Sequence, residues 1–364
     1  MISITVSAKV LSDALDKIGI ALDDKAKLPA HTNYLLLGHP SGRLIVQGQN
    51  QGQRMRGEAR IDARVTEPVA AGLNAKTLRG IVGSLPNVPV TLEFIERTVR
   101  INAAASSFSL PYVCEDNFPR GLDYDQLPFA EIKIPAFTSA LQRVMFAAAK
   151  EEELNYNRKA YFAVCMNPEH FVATDGKKLA FIANPVGMPK DRHHLVPTES
   201  CEKLVKAYRG LGEKGFCCFT EDSLHLSCSG IFMSARLYAD NYFPYGAHLK
   251  SQGPHVPCTV TRTALVEALK RVSLVSDTNG TVLFIFDPGR LTVATKGAAG
   301  EAIEQVDCEF NSDTTVEVKF NSRYLLEALD ELKEEKTVME VRSGEKLLVF
   351  REKDYVAAIM PVIN

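Results

Sequence analysis

Ala140-Leu141-Gln142-Arg143-Val144 decides the fold, because its pattern stands twice more in the chain. Ala14-Leu15-Asp16-Lys17-Ile18 precedes it by 126 residues, and Ala268-Leu269-Lys270-Arg271-Val272 follows it by 128. Each copy lies in a stretch with apolar residues at helical spacing and a basic residue among them, which predicts an amphipathic helix. A period of that length in a chain of 364 residues leaves room for three units, each large enough to bury a core of its own.

Further landmarks keep the period. Short runs rich in apolar and β-branched residues follow each helix and read as strands: Arg43-Leu44-Ile45-Val46-Gln47, His170-Phe171-Val172-Ala173-Thr174 and Arg290-Leu291-Thr292-Val293-Ala294. A second helix per unit is expected after Asn74, Pro197 and Asn321, with Leu78, Leu204 and Leu325 inward and Asn74, Thr198 and Asn321 as cap types. Alternating strands then cover 90–101, 216–227 and 338–350, the last broken by the turn-like Ser343-Gly344-Glu345-Lys346. Each unit closes on an apolar residue and a proline: Phe118-Pro119, Phe243-Pro244 and Met360-Pro361. The expectation is an α+β fold of three repeated domains, 1–122, 129–248 and 255–364, with helices packed on one face of the sheets and polar, Gly- and Pro-containing linkers between the units.

Composition narrows the function classes. With 46% hydrophobic and 24% charged residues, a disordered, collagen-like or coiled-coil chain is excluded. There is neither an apolar run of the roughly 18 residues a membrane helix needs nor a signal-peptide pattern at the N-terminus, so a cytoplasmic location and no membrane contact are expected. Forty-two Lys+Arg against 44 Asp+Glu give a net charge of -2, so a nucleic-acid partner has to be met by a local patch. The eight cysteines form no CxxC pair and read as reduced core thiols; His193 and His194 read as part of a solvated loop. No metal, no cofactor and no catalytic residue is expected, since Ser, His and Asp nowhere form a nucleophile elbow or an HExxH-like spacing. The run Ala173–Ala180 has one glycine and lacks both GxGxxG and GxxxxGK[ST], so Asp175-Gly176 reads as a turn between strands.

That same run, Ala173-Thr174-Asp175-Gly176-Lys177-Lys178-Leu179-Ala180, resembles the ATDGHRLA signature of the bacterial DNA polymerase III beta subunits, the sliding clamps. Phe320-Asn321-Ser322-Arg323-Tyr324-Leu325-Leu326 is similar to that family's FNxxYLL helix start, Asn241-Tyr242-Phe243-Pro244 to its xxFP segment, and Ile359-Met360-Pro361-Val362 to its C-terminal tail. In the first unit Gly48-Gln49-Asn50-Gln51-Gly52 replaces the usual TDLE-like turn. The resemblance implies the DNA clamp fold: three copies of one domain, two subunits head to tail in a homodimeric ring, helices lining the hole and sheets outside. A ring of that kind encircles duplex DNA without reading its sequence. It tethers the replicative polymerase, giving processivity without catalysis of its own.

The resemblance also implies sites. A peptide-binding cleft would be lined by Tyr161, Thr174, Gly176, Lys177, Lys178, Leu179, Pro244, Leu249, Tyr324, Ala358, Met360 and Val362 and would take short linear motifs of the polymerase III alpha subunit, the clamp loader, other polymerases and repair proteins. Its chemistry is coherent, an apolar pocket with an adaptable methionine and a polar rim. DNA would be met by Lys17, Lys25, Arg79, Arg143, Arg158, Lys203, Lys206, Lys270 and Arg271, of which Lys17, Arg143 and Arg271 share one repeat position; Glu151-Glu152-Glu153 and 331–335 would supply an acidic exterior. Phe108 and Leu110 on one subunit and Val275, Glu301 and Glu304 on the other would form the dimer contact. A nucleotide-acting enzyme and a non-replicative ring scaffold are the alternatives.

Overall fold

The computed structural model describes residues 2–363 except 24, 51–53, 120, 151–158, 187–192, 243, 251–252, 298–299 and 345, and only the backbone of 248 and 250. The chain forms two compact units, Met1–Ser139 with Glu199–Leu237, and Ala140–Thr198 with Tyr238–Asn364. The strands are antiparallel throughout the described pairings, and the α+β expectation holds.

The first unit has two sheets. One runs in the order Arg64–Val65, Ile2–Ser7, Pro89–Ile95, Thr98–Ala103, Ser106–Pro111, leaving Ser106–Pro111 at an edge. The other has eight strands and joins Arg43–Gln49 and Met55–Asp62 to Lys214–Phe219, Ser223–Cys228 and Ile231–Arg236. Helix Ala8–Gly19 packs on helix Ala75–Ser84 and buries Ala8, Leu11, Ala14, Leu15 and Ile18, the 3.6-residue stripe read from the sequence. Each buried Leu or Ile there contributes about 1.5–3 kcal/mol through the hydrophobic effect.

The second unit is built on a twelve-stranded sheet. At its middle Lys178–Ala183 pairs with Tyr355–Ile359, with Leu179 opposite Ala358. Helices Arg262–Ser273 and Ser322–Asp330 pack together over it. Strand Gly300–Phe310 is paired along one side with Arg290–Gly297, but on its other side only Cys308, Glu309 and Phe310 face Val256–Thr261, so its first half has an open edge.

Both repeated helix sets are found. The repeat pentads lie in Ala8–Gly19, Ile134–Met145 and Arg262–Ser273, each of 12 residues. Asn74 and Asn321 cap the helices that follow them, accepting from Thr77 N at 3.0 Å and from Arg323 N at 3.0 Å. Thr198 departs from the expectation: it is the first residue of helix Thr198–Tyr208, and its hydroxyl donates to the Phe162 carbonyl at 2.9 Å. Seven cysteines are buried thiols that form no disulfide, but Cys114 is exposed. Burial pushes the Cys165 thiol up to about 12, which leaves it protonated and unreactive at neutral pH. His194 is not in a solvated loop; it is buried on strand His194–Pro197 opposite Met166, while His193 is exposed.

Candidate functional site

The Thr174–Lys178 turn organises the site. Gly176 sits at φ 84°, a left-handed conformation that a side chain would strain, and this is why glycine stands there. Thr174 Oγ1 receives Gly176 N at 3.0 Å and donates to the Lys178 carbonyl at 2.6 Å. The buried Asp175 carboxylate accepts Lys177 N at 2.8 Å and Lys178 N at 2.7 Å. These four bonds tie the side chains of the turn to its own backbone, so the loop is held in one shape.

Lys178 locks this turn to the rest of the unit. The residue is 6% exposed, and its ammonium donates to Glu327 Oε2 at 2.8 Å and the Phe146 carbonyl at 2.7 Å and lies 4.9 Å from the centre of the Tyr324 ring. Glu327 and Tyr324 belong to helix Ser322–Asp330, so one cation joins a strand to a helix more than 140 positions away in sequence.

The C-terminal tail closes the site. Met360 N donates to the Lys177 carbonyl and Val362 N to the Lys319 carbonyl, both at 2.8 Å, so the tail is held by its backbone rather than frayed. On one side lies a cavity of about 180 Å³ lined by Tyr161, Thr174, Gly176, Lys177, Lys178, Leu179, Leu347, Ala358 and Met360. A second cavity of about 580 Å³ is lined by Lys177, Tyr324, Met360 and Val362 together with Thr278, Asn279, Gly280, Thr281, Asn321, Arg323 and Pro361. Beneath the first lies an apolar core that includes Ala163, Cys165, Val172, Leu195, Val349 and Val356.

Ten of the twelve residues named from the sequence therefore line one or both cavities. Pro244 and Leu249 line neither: Pro244 is exposed at the start of helix Tyr245–Lys250, and Leu249 packs on the core below. Phe243 lies outside the described residues. Leu347 and the 278–281 turn were not anticipated. Leu347 carried a signal, an apolar residue directly after a polar turn; the 278–281 turn carried none, because polar loop residues mark no particular partner.

The cations expected to meet DNA differ sharply in environment. Lys25, Lys206 and Lys270 are exposed. Lys17 is half-buried and donates to the Arg209 carbonyl at 3.1 Å, Arg79 is half-buried, and Lys203 pairs with Glu199 one helical turn before it at 2.6 Å. Arg158 lies outside the described residues, as do Glu151–Glu153. Arg143 differs from the other cations of the set. It is 8% exposed, bonded to Glu352 at 2.5 Å and to the Glu331 carbonyl at 3.0 Å, with its guanidinium 3.9 Å from the centre of the Tyr355 ring. A guanidinium so buried, turned toward Glu352 and the Glu331 carbonyl, is poorly placed to meet a phosphate.

Arg271 is exposed but forms a two-pronged pair with Glu304, at 2.8 and 3.0 Å, which holds the Glu304 carboxyl below its usual range. Glu304 is thus paired within its own chain, and Glu301 likewise with Lys296. Phe108 and Leu110, half-buried, lie on the edge strand Ser106–Pro111. Beside the half-buried Val275, Leu274 is 81% exposed, and on the open edge of Gly300–Phe310 Ile303 is 69% exposed. Sequence reading passed over both, since a single apolar residue at the end of a helix or in a strand reads as core.

Among the described residues no group of three or more His, Cys, Asp or Glu is placed to hold a metal ion, and no helix is long and apolar enough to cross a membrane.

Residues 2–123 match the N-terminal domain and residues 253–362 the C-terminal domain of the DNA polymerase III beta subunit family. The chain is 23% identical over 337 residues to the beta sliding clamp of Chlamydia pneumoniae, covering 91% of this chain and 90% of that protein. It is 24% identical over 308 residues to that of Micrococcus luteus, covering 84% and 98%. Among solved structures, the DNA polymerase III subunit beta of Pseudomonas aeruginosa superposes with a TM-score of 0.91 at 20% identity, and the sliding clamp of Bacillus subtilis with 0.91 at 18%, each covering 100% of this chain and, respectively, 100% and 99% of the other. With both ends of the chain matched and the fold shared along its whole length, the chain belongs to the DNA polymerase III beta subunit family.

Proposed function

We propose that two copies of this chain close head to tail around duplex DNA, slide on it without sequence preference and tether the replicative polymerase. The observation that carries this reading is the match of both chain ends to beta-subunit domains. In this reading the chain has three repeated domains, 1–122, 129–248 and 255–364, and the middle one would contribute strands to both compact units. The dimer contact would join the edge Ser106–Pro111 of one copy to the open half of Gly300–Phe310 of the other, where unpaired strand groups and the exposed Ile303 and Leu274 await cover. Duplex phosphates would be met by Lys25, Lys206, Lys270 and Arg271, with Lys17, Arg79 and Lys203 at the margin. The protein performs no chemistry of its own in this reading.

The two cavities would take a short linear motif from the polymerase alpha subunit, the clamp loader or repair proteins. Leu179, Leu347, Ala358 and Met360 surround an apolar side chain in the smaller one, and Met360 adapts to different occupants. The test combines native mass measurement with retention on nicked circular and linear DNA. A species of twice the 40.1 kDa chain mass, held by circles and lost from linear ends, is the expected result. A strict monomer at micromolar concentration overturns the ring.

A further inference from the structure

We propose that the segment 123–127 is an acid-released strap, fastened at neutral pH across the seam where strand Met55–Asp62 pairs with strand Ile231–Arg236 and unfastened when His225 takes up a proton. Within the stretch 121–130 Tyr124 alone is buried, so the segment enters the first unit through one side chain. The turn that presents it is braced from within: Asp123 Oδ1 accepts Asp125 N at 3.2 Å, and Oδ2 accepts the Gln126 amide at 2.7 Å.

The strap is fastened to both strands of the seam, in whose pairing Phe232 stands opposite Glu58 and Ser234 opposite Arg56. Tyr124 takes one strand, with its ring 4.9 Å from that of Phe232 and its hydroxyl 2.9 Å from Ser234 Oγ. Asp125 takes the other, its Oδ1 accepting Arg60 Nη1 at 2.6 Å. The same guanidinium donates to the buried Glu58 at 2.7 Å and lies 4.5 Å from the centre of the Phe232 ring.

The buried fastening ends on a titratable ring. Ser234 Oγ is 2.8 Å from His225 Nδ1, and Nε2 is 3.2 Å from Thr220 Oγ1, whose hydroxyl donates to the Ser223 carbonyl at 3.2 Å. Burial pushes the Tyr124 phenol up to about 12, so it keeps its proton. One assignment then gives every proton an acceptor: Tyr124 O–H to Ser234, Ser234 O–H to Nδ1, and Nε2–H to Thr220. A proton added at Nδ1 reverses the order. Ser234 must accept from the ring and turn its own proton to Tyr124, whose proton is left without an acceptor where water is excluded.

The groups around the ring do not offset this. Asp222 on the adjoining turn favours the charged ring, but burial outweighs it. Cys218, opposite His225 on strand Lys214–Phe219, and Tyr208 of helix Thr198–Tyr208 are both kept protonated by burial. Strand Met55–Asp62 brings Arg56, Glu58 and Arg60, the last bonded to Glu58 and Asp125. Fastened, the ring protonates only near 4, against 6.5 when free of the fold. The strap is therefore held above about pH 6.5 and given up as pH falls toward 4, with a bias of at most about 300-fold.

Fluorine NMR of the full-length protein labelled with fluorotyrosine tests this, each tyrosine resonance being identified by its absence in the matching Tyr→Phe variant. On acidification from neutral pH the Tyr124 resonance should move from a buried to an exposed position with a midpoint between 4 and 6.5, while those of the buried Tyr34 and Tyr355 stay in place. His225→Gln offers Ser234 an acceptor and Thr220 a donor without titrating, so the step should vanish. Ser234→Ala cuts the link between ring and strap, and the step should vanish there too. A Tyr124 resonance that stays buried until all the tyrosines are exposed together, or that moves alike in wild type and either variant, overturns the strap.

Discussion

Arg143 Nη2 and Glu352 Oε2 are 2.5 Å apart, each on a side chain only 9% exposed. The pair lies against the Tyr355 ring, whose hydroxyl returns a hydrogen bond to the Arg143 carbonyl at 3.0 Å. The residue that shares a repeat position with Lys17 and Arg271 is therefore a structural ion pair in the second unit. Removing one member strands the other charge away from water, typically at a cost of about 3–5 kcal/mol. Arg143→Ala should lower the denaturation midpoint accordingly, whereas Arg143→Met with Glu352→Met should recover much of the loss. Equal stability of Arg143→Ala and wild type would contradict this role.

DNA retention should depend on the exposed cations instead. Changing Lys206 and Lys270 to Glu should weaken binding alike on every base sequence and lower the salt-dependence slope by about one for each phosphate no longer neutralised. Gel-shift titrations across a salt series measure it, and a preferred base sequence would contradict it.

Ile303→Asp should leave the fold intact, because the side chain is exposed, yet yield monomers in native mass measurement. Phe108→Asp should do the same from the other side of the proposed dimer contact. A dimer as tight as wild type in both variants would remove these edges from the interface.

Deleting Met360 to Asn364 strips the wall common to both cavities, and removing so central an apolar group typically costs about 2 kcal/mol or more of binding. Peptide affinity, read by polarisation, should fall by that amount while the dimer and DNA retention persist. Tyr324→Ala should reproduce the separation. Undiminished affinity after truncation would move the site elsewhere.

A pH effect follows from His225 in the first unit. It is buried between Ser234 Oγ at 2.8 Å and Thr220 Oγ1 at 3.2 Å, and burial lowers its pKa from 6.5 to about 4. The unfolded chain binds this proton more readily, so the stability held with a neutral ring is present above about pH 6.5 and is lost as pH falls toward 4. Melting temperatures across that window should fall with pH more steeply in wild type than in His225→Gln.

The repeat, the helices and strands and the α+β class were determined by the sequence alone. They depend on periodicity, which puts Leu11, Leu15 and Ile18 on one helix face whatever the helix meets. The Thr174–Lys178 turn was also legible, because Asp and Gly hold it with groups a few residues apart. Tertiary structure decided the rest. Lys17, Arg143 and Arg271 occupy one repeat position, yet they end half-buried, buried and exposed, since only Arg143 is met by Glu352, 209 residues away. Arg271 and Glu304, read as belonging to different sites, became partners when helix Arg262–Ser273 packed on strand Gly300–Phe310. Both cavities take Met360 as part of their wall, and the tail that carries it is held at Lys177 and Lys319. A charge or a chain end takes its role from whatever the fold brings beside it, and local sequence carries no record of that neighbour.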